Sequence, residues 1–212
     1  MTSVEYDSSL LSNLKDKVVI ITGIPYISKV SDIGGARGIG AATVKFFHSH
    51  GAIVEFADLN DTNGHNLQTQ LKEYTSLTTA GGNGRRARYT HCDVTSWQSL
   101  SSLFKGVHER NGRIDVVVAN AGIVERKEFL DDTLTEDGEL QQPDISVINV
   151  NLVGCMYTGK LALWWFKKNP TPGGALVMIS SVGGYADGTS LAEDLSDDKA
   201  KESLPIKQPN ME

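Results

Sequence analysis

A glycine-rich segment near the start of the chain has the composition of a phosphate-binding turn. The sequence GGARGIG, from Gly34 to Gly40, follows an apolar run that ends at Thr22 and precedes a segment with helical periodicity. Where a strand turns into the N-terminus of a helix, unpaired backbone N–H groups and the positive end of the helix dipole coincide, and glycine lets a phosphate approach them. These residues predict pyrophosphate binding. The GxxxGxG spacing is weakly specific alone, and the alternative is a turn without a ligand.

An aspartate follows the glycines at the distance that dinucleotide binding requires. Asp58 ends a second apolar run, about 20 residues after the glycine turn, where a carboxylate can accept both hydroxyls of an adenosine ribose and repel a 2′-phosphate. Arg37 favours NADP instead, because its guanidinium could bind a 2′-phosphate. We give Asp58 more weight, and the pair predicts NAD, with NADP as the less favoured cofactor. The alternative for Asp58 is a solvated loop residue.

The elements that must hold these residues alternate along the chain. Apolar, β-branched runs predict strands, and segments of helical periodicity predict the helices between them. The strands are expected at 17–22, 52–58, 85–93, 113–122 and 174–181, and the helices at 38–50, 61–75, 96–110 and 144–168. Because parallel strands need crossover connections, this alternation predicts an α/β fold with a doubly wound parallel sheet of five strands.

The last predicted helix carries apolar residues at helical spacing. They are Ile145, Ile148, Leu152, Met156, Gly159 and Leu163. After Ser181 the chain becomes acidic and contains no further strand pattern, so we expect the fold to be incomplete at its C-terminus. One Rossmann-like domain is predicted over residues 1–184, with a divergent acidic tail over 185–212.

Five motifs in order resemble the short-chain dehydrogenase/reductase family over roughly residues 15–184. When residues 24–34 are treated as an insert and removed, Thr22-Gly23 joins Gly35–Gly40. The joined sequence, which includes Ile39, matches the family's TGxxxGxG turn. The other four matches are Asp93-Val94, the NAG turn Asn120-Ala121-Gly122, Asn151 in VNLVG, and Ser181 in VMISS. The resemblance implies a Rossmann-like fold and a nicotinamide dinucleotide cofactor.

The resemblance also implies a role for each matched motif. Asp93-Val94 would contact the adenine, and the NAG turn would lie along the cofactor and steady the sheet. Asn151 would hold a water of a proton relay, and Ser181 would polarise the carbonyl or hydroxyl of the substrate. The implied activity is hydride transfer between the nicotinamide and a secondary alcohol or ketone, and the family also suggests a homo-oligomer. Each residue alone has a structural alternative, such as a strand-end cap for Ser181.

The catalytic pair that the family requires has no match in this sequence. A tyrosine about 13 residues after the serine and a lysine four residues later act together, because free tyrosine has a pKa near 10 and is a poor base at neutral pH. Asp194 and Asp198 occupy those positions, and no YxxxK occurs in the chain. Tyr185 with a later lysine is a weak substitute, since no helix relates them. The alternative function is therefore a catalytically inactive nucleotide-binding or interaction fragment.

The insert and the altered tail suggest one hypothesis. The chain is interpreted as an alternatively spliced or mis-predicted product of a gene for a complete, longer dehydrogenase, which makes this form truncated. The rival interpretation is that Gly34 replaces Gly23 as the first glycine and that residues 24–33 loop out, which keeps a weakened cofactor site. A shortened fold also predicts an exposed apolar patch beside the fifth strand.

Composition excludes several other classes of function. A formal net charge of -6 and a pI near 5.4 provide no basic surface for nucleic acid. No apolar run predicts a signal peptide or a membrane span. The two cysteines, Cys92 and Cys155, are far apart and predict neither a disulfide framework nor a metal site. A cytoplasmic enzyme with a small-molecule partner is the expectation.

Overall fold

A computed structural model describes residues 8–23, 38–78, 87–123 and 132–181 of the chain. The chain divides into two units, residues 1–179 and 180–212. The second unit is described only at Ser180 and Ser181, and both residues are exposed.

Strands and helices alternate in the first unit as the sequence pattern predicts. The strands are β1 (Val18–Thr22), β2 (Ile53–Asp58), β3 (Ala87–His91), β4 (Val116–Ala119) and β5 (Ala175–Met178). The α-helices are α1 (Ile39–Ser49), α2 (Asp61–Thr78), α3 (Trp97–Asn111) and α4 (Cys155–Phe166). A 3-10 helix, Ser8–Leu14, precedes β1, and a π-helical turn, Ile148–Gly154, leads into α4.

The five strands form one parallel sheet in the order β3-β2-β1-β4-β5. The predicted α/β class and parallel sheet are therefore confirmed. The chain first builds outward from β1 through β2 and β3, and then continues on the other side with β4 and β5. The strand order reverses between β1 and β4, and ligands of open α/β sheets bind at such a point, beyond the carboxyl ends of the strands.

The two faces of the sheet are covered by separate apolar layers. Val18 and Ile20 of β1 point into one layer, with side chains of α3 and α4, and Val19 and Ile21 point into the other, with side chains of α1 and α2. All four side chains have at most 1% of their surface exposed. A strand buried on both faces needs apolar residues at consecutive positions, which explains the uninterrupted VVII run.

The long predicted helix at 144–168 differs from a regular α-helix. Residues 146–147 are α-helical, Ile148–Gly154 form a π-helical turn, and the regular α-helix Cys155–Phe166 follows. The sequence pattern did not reveal the π-helical turn, because a single turn with i→i+5 hydrogen bonds is too short to change the apolar spacing of the whole segment recognisably. The π-helical turn contains Asn151, and such turns occur often at functional sites.

A buried ion pair connects α3 to the centre of the sheet. Glu55 in β2 is 3% exposed, and its Oε2 accepts a 2.8 Å hydrogen bond from Nη2 of Arg110. Nε of Arg110 and Nδ2 of Asn111 each donate to the other carboxylate oxygen at 3.3 Å. The end of α3 is thereby fixed to β2 by three polar contacts on one carboxylate.

Candidate functional site

The strand register brings three motifs to one edge of the sheet. Thr22 is paired with Ala57 in β2 and with Ala119 in β4. The next residue of each strand is therefore at the same level: Gly23 after β1, Asp58 in β2 and Asn120 after β4. A glycine turn, an acidic residue and the NAG turn, which lie far apart in the sequence, meet at the switch point of the sheet.

Gly23 and the first turn of α1 are in direct contact. A Cβ on Gly40 would lie 2.1 Å from the carbonyl oxygen of Gly23 and 2.6 Å from Nδ2 of Asn120, so only glycine fits at position 40. Nδ2 of Asn120 donates to the Gly23 carbonyl, and its backbone N–H donates to Oγ1 of Thr22 at 3.3 Å. The two ends of the glycine turn and the NAG turn therefore form one packed unit. Gly34, Gly35 and Arg37 lie outside the described residues.

The helix that follows the glycines begins without a side-chain cap. Gly38 precedes α1 with φ of 97°, and Ile39 is the first helical residue. No side chain hydrogen-bonds to the first turn from the Gly38 position. The backbone N–H groups of this turn are thus suited to an anionic ligand.

A cavity of about 220 Å³ lies beside this unit. Six of the residues that line it are sequence-predicted site residues: Gly23, Asp58, Asp93, Val94, Ala121 and Gly122. Five others were not predicted: Leu59, Asn60, Cys92, Ile123 and Val150. Each of these five is at most two positions from a predicted residue in the sequence, so proximity to a motif at a strand end was the available signal.

The Asp58 carboxylate is oriented by its own turn. Oδ1 of Asp58 accepts a hydrogen bond from the backbone N–H of Asn60 at 2.8 Å. Oδ1 of Asn60 in turn accepts from the backbone N–H of Asn63, in the first turn of α2, at 3.0 Å. The carboxylate at the cavity is therefore held at the junction between β2 and α2.

Asp93 and Val94 contribute to the cavity in different ways. Oδ1 of Asp93 accepts hydrogen bonds from the backbone N–H and from Oγ1 of Thr95, both at 2.8 Å. This carboxylate is engaged in holding the turn that leads into α3. Val94 is buried and provides apolar surface to the cavity.

Asn151 fixes the chain directly after the NAG turn. Its Oδ1 accepts from the backbone N–H of Ile123 at 2.9 Å, and its Nδ2 donates to the carbonyl of Ile123 at 2.9 Å. The side chain of Asn151 is thus engaged with the backbone of another segment of the site. Ser181, the other predicted catalytic residue, belongs to the second unit and is exposed there.

Cys92 lies in the cavity wall as a neutral thiol. Burial raises its pKa, although Oγ of Ser99 donates a hydrogen bond to the sulfur at 3.4 Å. Within the ranges that the structure describes, no three His, Cys, Asp or Glu side chains gather as a metal site. No helix of the described part is both long and apolar enough to cross a membrane.

Comparisons with known proteins agree with this arrangement. The family model "short chain dehydrogenase" matches residues 30–192, more than half of the chain. The chain is 33% identical to the short-chain dehydrogenase/reductase ascJ of Acremonium egyptiacum, over 88% of this chain and 54% of that protein. It is also 33% identical to 5'-hydroxyaverantin dehydrogenase of Dothistroma septosporum, over 84% of this chain and 56% of that protein.

A solved structure has the same fold. A short chain dehydrogenase from Mycobacterium smegmatis superposes with a TM-score of 0.61 and 28% identity, over 82% of this chain and 62% of that one. The chain spans about half the length of the curated relatives it matches. The family model, the two relatives and the five-stranded parallel sheet lead to the same conclusion: this chain belongs to the short-chain dehydrogenase/reductase family.

Proposed function

We propose that the protein is an NAD-dependent oxidoreductase that acts on a secondary alcohol or ketone, with the dinucleotide bound at the 220 Å³ cavity. One observation carries the proposal. Gly23, Asp58, Val94 and Ala121, which belong to four separate motifs, line a single cavity at the switch point of the parallel sheet. The family membership of the chain supports a nicotinamide dinucleotide as the cofactor.

The lining residues fit the adenosine part of such a cofactor. The Asp58 carboxylate accepts the two ribose hydroxyls, and its negative charge disfavours a 2′-phosphate, so NAD is preferred over NADP. Val94 and neighbouring apolar side chains provide a surface for the adenine. The first turn of α1 and the glycines before it hold the pyrophosphate. When bound, the nicotinamide supplies or accepts the hydride.

Ser181 is the residue proposed to act on the substrate, and Asn151 is proposed to support the site. The Ser181 hydroxyl hydrogen-bonds to the substrate oxygen, and Asn151 steadies the segment that follows the NAG turn through its two bonds to Ile123. A relative named for 5'-hydroxyaverantin supports a small-molecule substrate. A homo-oligomer and a cytoplasmic location complete the proposal.

A second function is favoured by the absence of YxxxK from the sequence. None of the six tyrosines is followed by a lysine four residues later. Without a fixed positive neighbour, a tyrosine is a poor base at neutral pH. In this case the chain binds NAD but does not convert a substrate, and it acts as a nucleotide-binding or interaction fragment.

The first experiment is calorimetric titration of the full chain with NAD⁺ and NADP⁺, together with the variant Asp58→Ala. Loss of the charge-assisted hydrogen bonds should weaken NAD⁺ binding at least about tenfold and reduce the preference over NADP⁺. Asp137→Ala, at an exposed aspartate away from the cavity lining, is the matched control and should bind like the parent chain.

The outcomes separate the two functions. Alcohol-dependent formation of NADH supports the oxidoreductase, and NAD⁺ binding without turnover of any alcohol tested supports the inactive fragment. Equal NAD⁺ affinity for the parent chain and Asp58→Ala would contradict the assignment of the site under both functions.

A further inference from the structure

The turn between β2 and α2 forms one wall of the cavity. Asp58, Leu59 and Asn60 all line the cavity, and Asp61 begins α2. The direction of the Asp58 carboxylate therefore depends on whatever holds this turn in place. The hydrogen bond from Asn60 fixes the carboxylate relative to the turn. At the strand end the Asp58 carbonyl accepts from the backbone N–H of Cys92 at 3.0 Å, and this bond does not hold the end of the turn that leads into α2.

A tyrosine on the neighbouring strand holds both ends of the turn. Tyr89 lies in β3 and is 7% exposed. Its hydroxyl is 2.8 Å from the carbonyl oxygen of Asp58 and 2.8 Å from Oδ1 of Asp61, and its single proton is shared between these acceptors. The backbone N–H of Tyr89 donates to Oε1 of Gln68, also on α2, at 2.7 Å. One residue thus connects β3, the end of β2 and the start of α2.

The position of the Tyr89 ring is determined by a glycine on α2. A Cβ on Gly64 would lie 2.2 Å from Cε2 of Tyr89, so the ring occupies space that any other residue at position 64 would fill. The ring also packs against Phe56, at 5.9 Å between centroids, and His65, at 5.0 Å. Because these neighbours enclose the ring, the hydroxyl has one position relative to the turn.

The protonation states of Tyr89 and Asp61 favour the hydrogen bond between them. Burial, and then the hydrogen bond to Asp61, raises the pKa of Tyr89, so its hydroxyl remains a donor at neutral pH. The hydrogen bond from Tyr89, and then one from His91, lowers the pKa of Asp61, which stays a carboxylate acceptor. Nδ1 of His91 lies 2.9 Å from the same oxygen of Asp61. The Asp61–His91 pair is exposed, whereas the Tyr89 contact is part-buried, so the Tyr89 contact is the firmer of the two.

We propose that Tyr89 is a positioning residue for the cofactor: its hydroxyl fixes the β2–α2 turn so that the Asp58 carboxylate faces the adenosine ribose of NAD. The inference rests on the proposed function, because it assigns Tyr89 a role through the Asp58 site. A tyrosine that only stabilised the fold would influence binding of NAD and NADP alike. A tyrosine that acts through Asp58 influences the choice between them.

A double-mutant cycle on the full chain tests the inference. The variants are Tyr89→Phe, Asp58→Ala and the combination of both, each titrated with NAD⁺ and with NADP⁺. Tyr89→Phe keeps the ring beside Gly64, so the variant is expected to fold, and its unfolding temperature checks this. We expect about fivefold weaker NAD⁺ binding and a lower ratio of NAD⁺ to NADP⁺ affinity. In the Asp58→Ala background the same change should have almost no further effect.

Tyr157→Phe is the matched control, because Tyr157 lies on α4 and does not line the cavity. It should leave NAD⁺ affinity unchanged. Unchanged NAD⁺ affinity in Tyr89→Phe, with a clear loss in Asp58→Ala, would overturn the inference and leave the proposed function intact. An equal loss from Tyr89→Phe in both backgrounds would also overturn it, because the role would then be structural. No loss in Asp58→Ala would overturn the proposed function, and the inference with it.

Discussion

At the scale of single residues, burial changes the acid–base properties of three side chains. Loss of water around the charged form is the largest cause of the raised pKa of Cys92, Cys155 and Tyr89. All three are therefore neutral at physiological pH. For Cys92, in the cavity wall, this means a small apolar surface rather than a reactive thiolate.

These raised pKa values predict loss of stability in alkaline solution. Each group releases its proton more readily in the unfolded chain, so the stabilisation is complete below the unfolded pKa values, near 8.5 for cysteine and 10 for tyrosine, and is lost as pH rises above them. Unfolding temperatures measured from pH 7.5 to 10.5 should fall steadily. The fall should be shallower for Cys92→Ala, and a parent chain whose unfolding temperature is constant over this range would contradict the prediction.

Six of the eleven cavity residues could be predicted because the proposed dinucleotide would require their types. A carboxylate for the ribose and glycines beside the pyrophosphate leave a recognisable pattern, as at Asp58 and Gly23. Tyr89 leaves no such pattern. Its contribution depends on the register between β2 and β3 and on the space at Gly64, and neither is visible until the chain is folded.

At the scale of elements, α3 is attached to the sheet by more than apolar packing. Glu55 is a charged residue in the middle of a buried strand, and Arg110 and Asn111 near the end of α3 provide its hydrogen bonds. The pair fixes the position of α3 along β2. Because Asp93 and Val94 directly precede α3, the location of this helix also affects the cavity.

Removing one member of the Glu55–Arg110 pair should lower the free energy of unfolding. Arg110→Ala leaves the buried Glu55 carboxylate with only the amide of Asn111, and because the Arg110 side chain is 35% exposed we expect a cost of about 1–3 kcal/mol. Lys105→Ala, on the same helix, removes an exposed ion pair with Glu109 at 3.8 Å and should cost less than about 1 kcal/mol. Urea unfolding of both variants measures these losses of stability. Equal unfolding midpoints would show that the Glu55–Arg110 pair contributes no more to stability than the exposed Lys105–Glu109 pair.

The alternation of strands and helices was predictable because strands buried on both faces and amphipathic helices differ in their periodicity. The π-helical turn was not predictable in this way. It contains Asn151, whose side chain is bound to the backbone of Ile123, 28 positions earlier in the sequence. Local spacing carries no information about a partner at that separation.

At the scale of the whole molecule, much of the apolar surface around α4 and β5 is exposed. The five large members of the predicted stripe, Ile145, Ile148, Leu152, Met156 and Leu163, are between 44 and 63% exposed, whereas its glycine, Gly159, is buried. The inward face of α4 consists of smaller residues such as Gly159 and Ala162, together with Leu161 and Phe166. Val177 and Met178 of β5 are also exposed. The sequence pattern did not indicate which side of this helix meets the sheet.

This surface predicts self-association of the chain. Burial of large exposed apolar side chains favours contact between copies, so the average sedimentation coefficient should rise with protein concentration. Leu163→Lys, within the stripe, should reduce the rise. Leu10→Lys, at an equally exposed leucine of the 3-10 helix, should not. A single monomeric species at all concentrations would contradict the prediction.

The contact between Gly23 and Gly40 has a consequence for how this protein can change. Gly23 and Gly40 are in direct contact, although sixteen residues lie between them in the sequence. The entropy of closing a loop grows only slowly with its length. We therefore expect that a change in the length of the peptide between these two glycines costs little free energy, and that variants with a shorter or longer peptide keep the sheet and the 220 Å³ cavity.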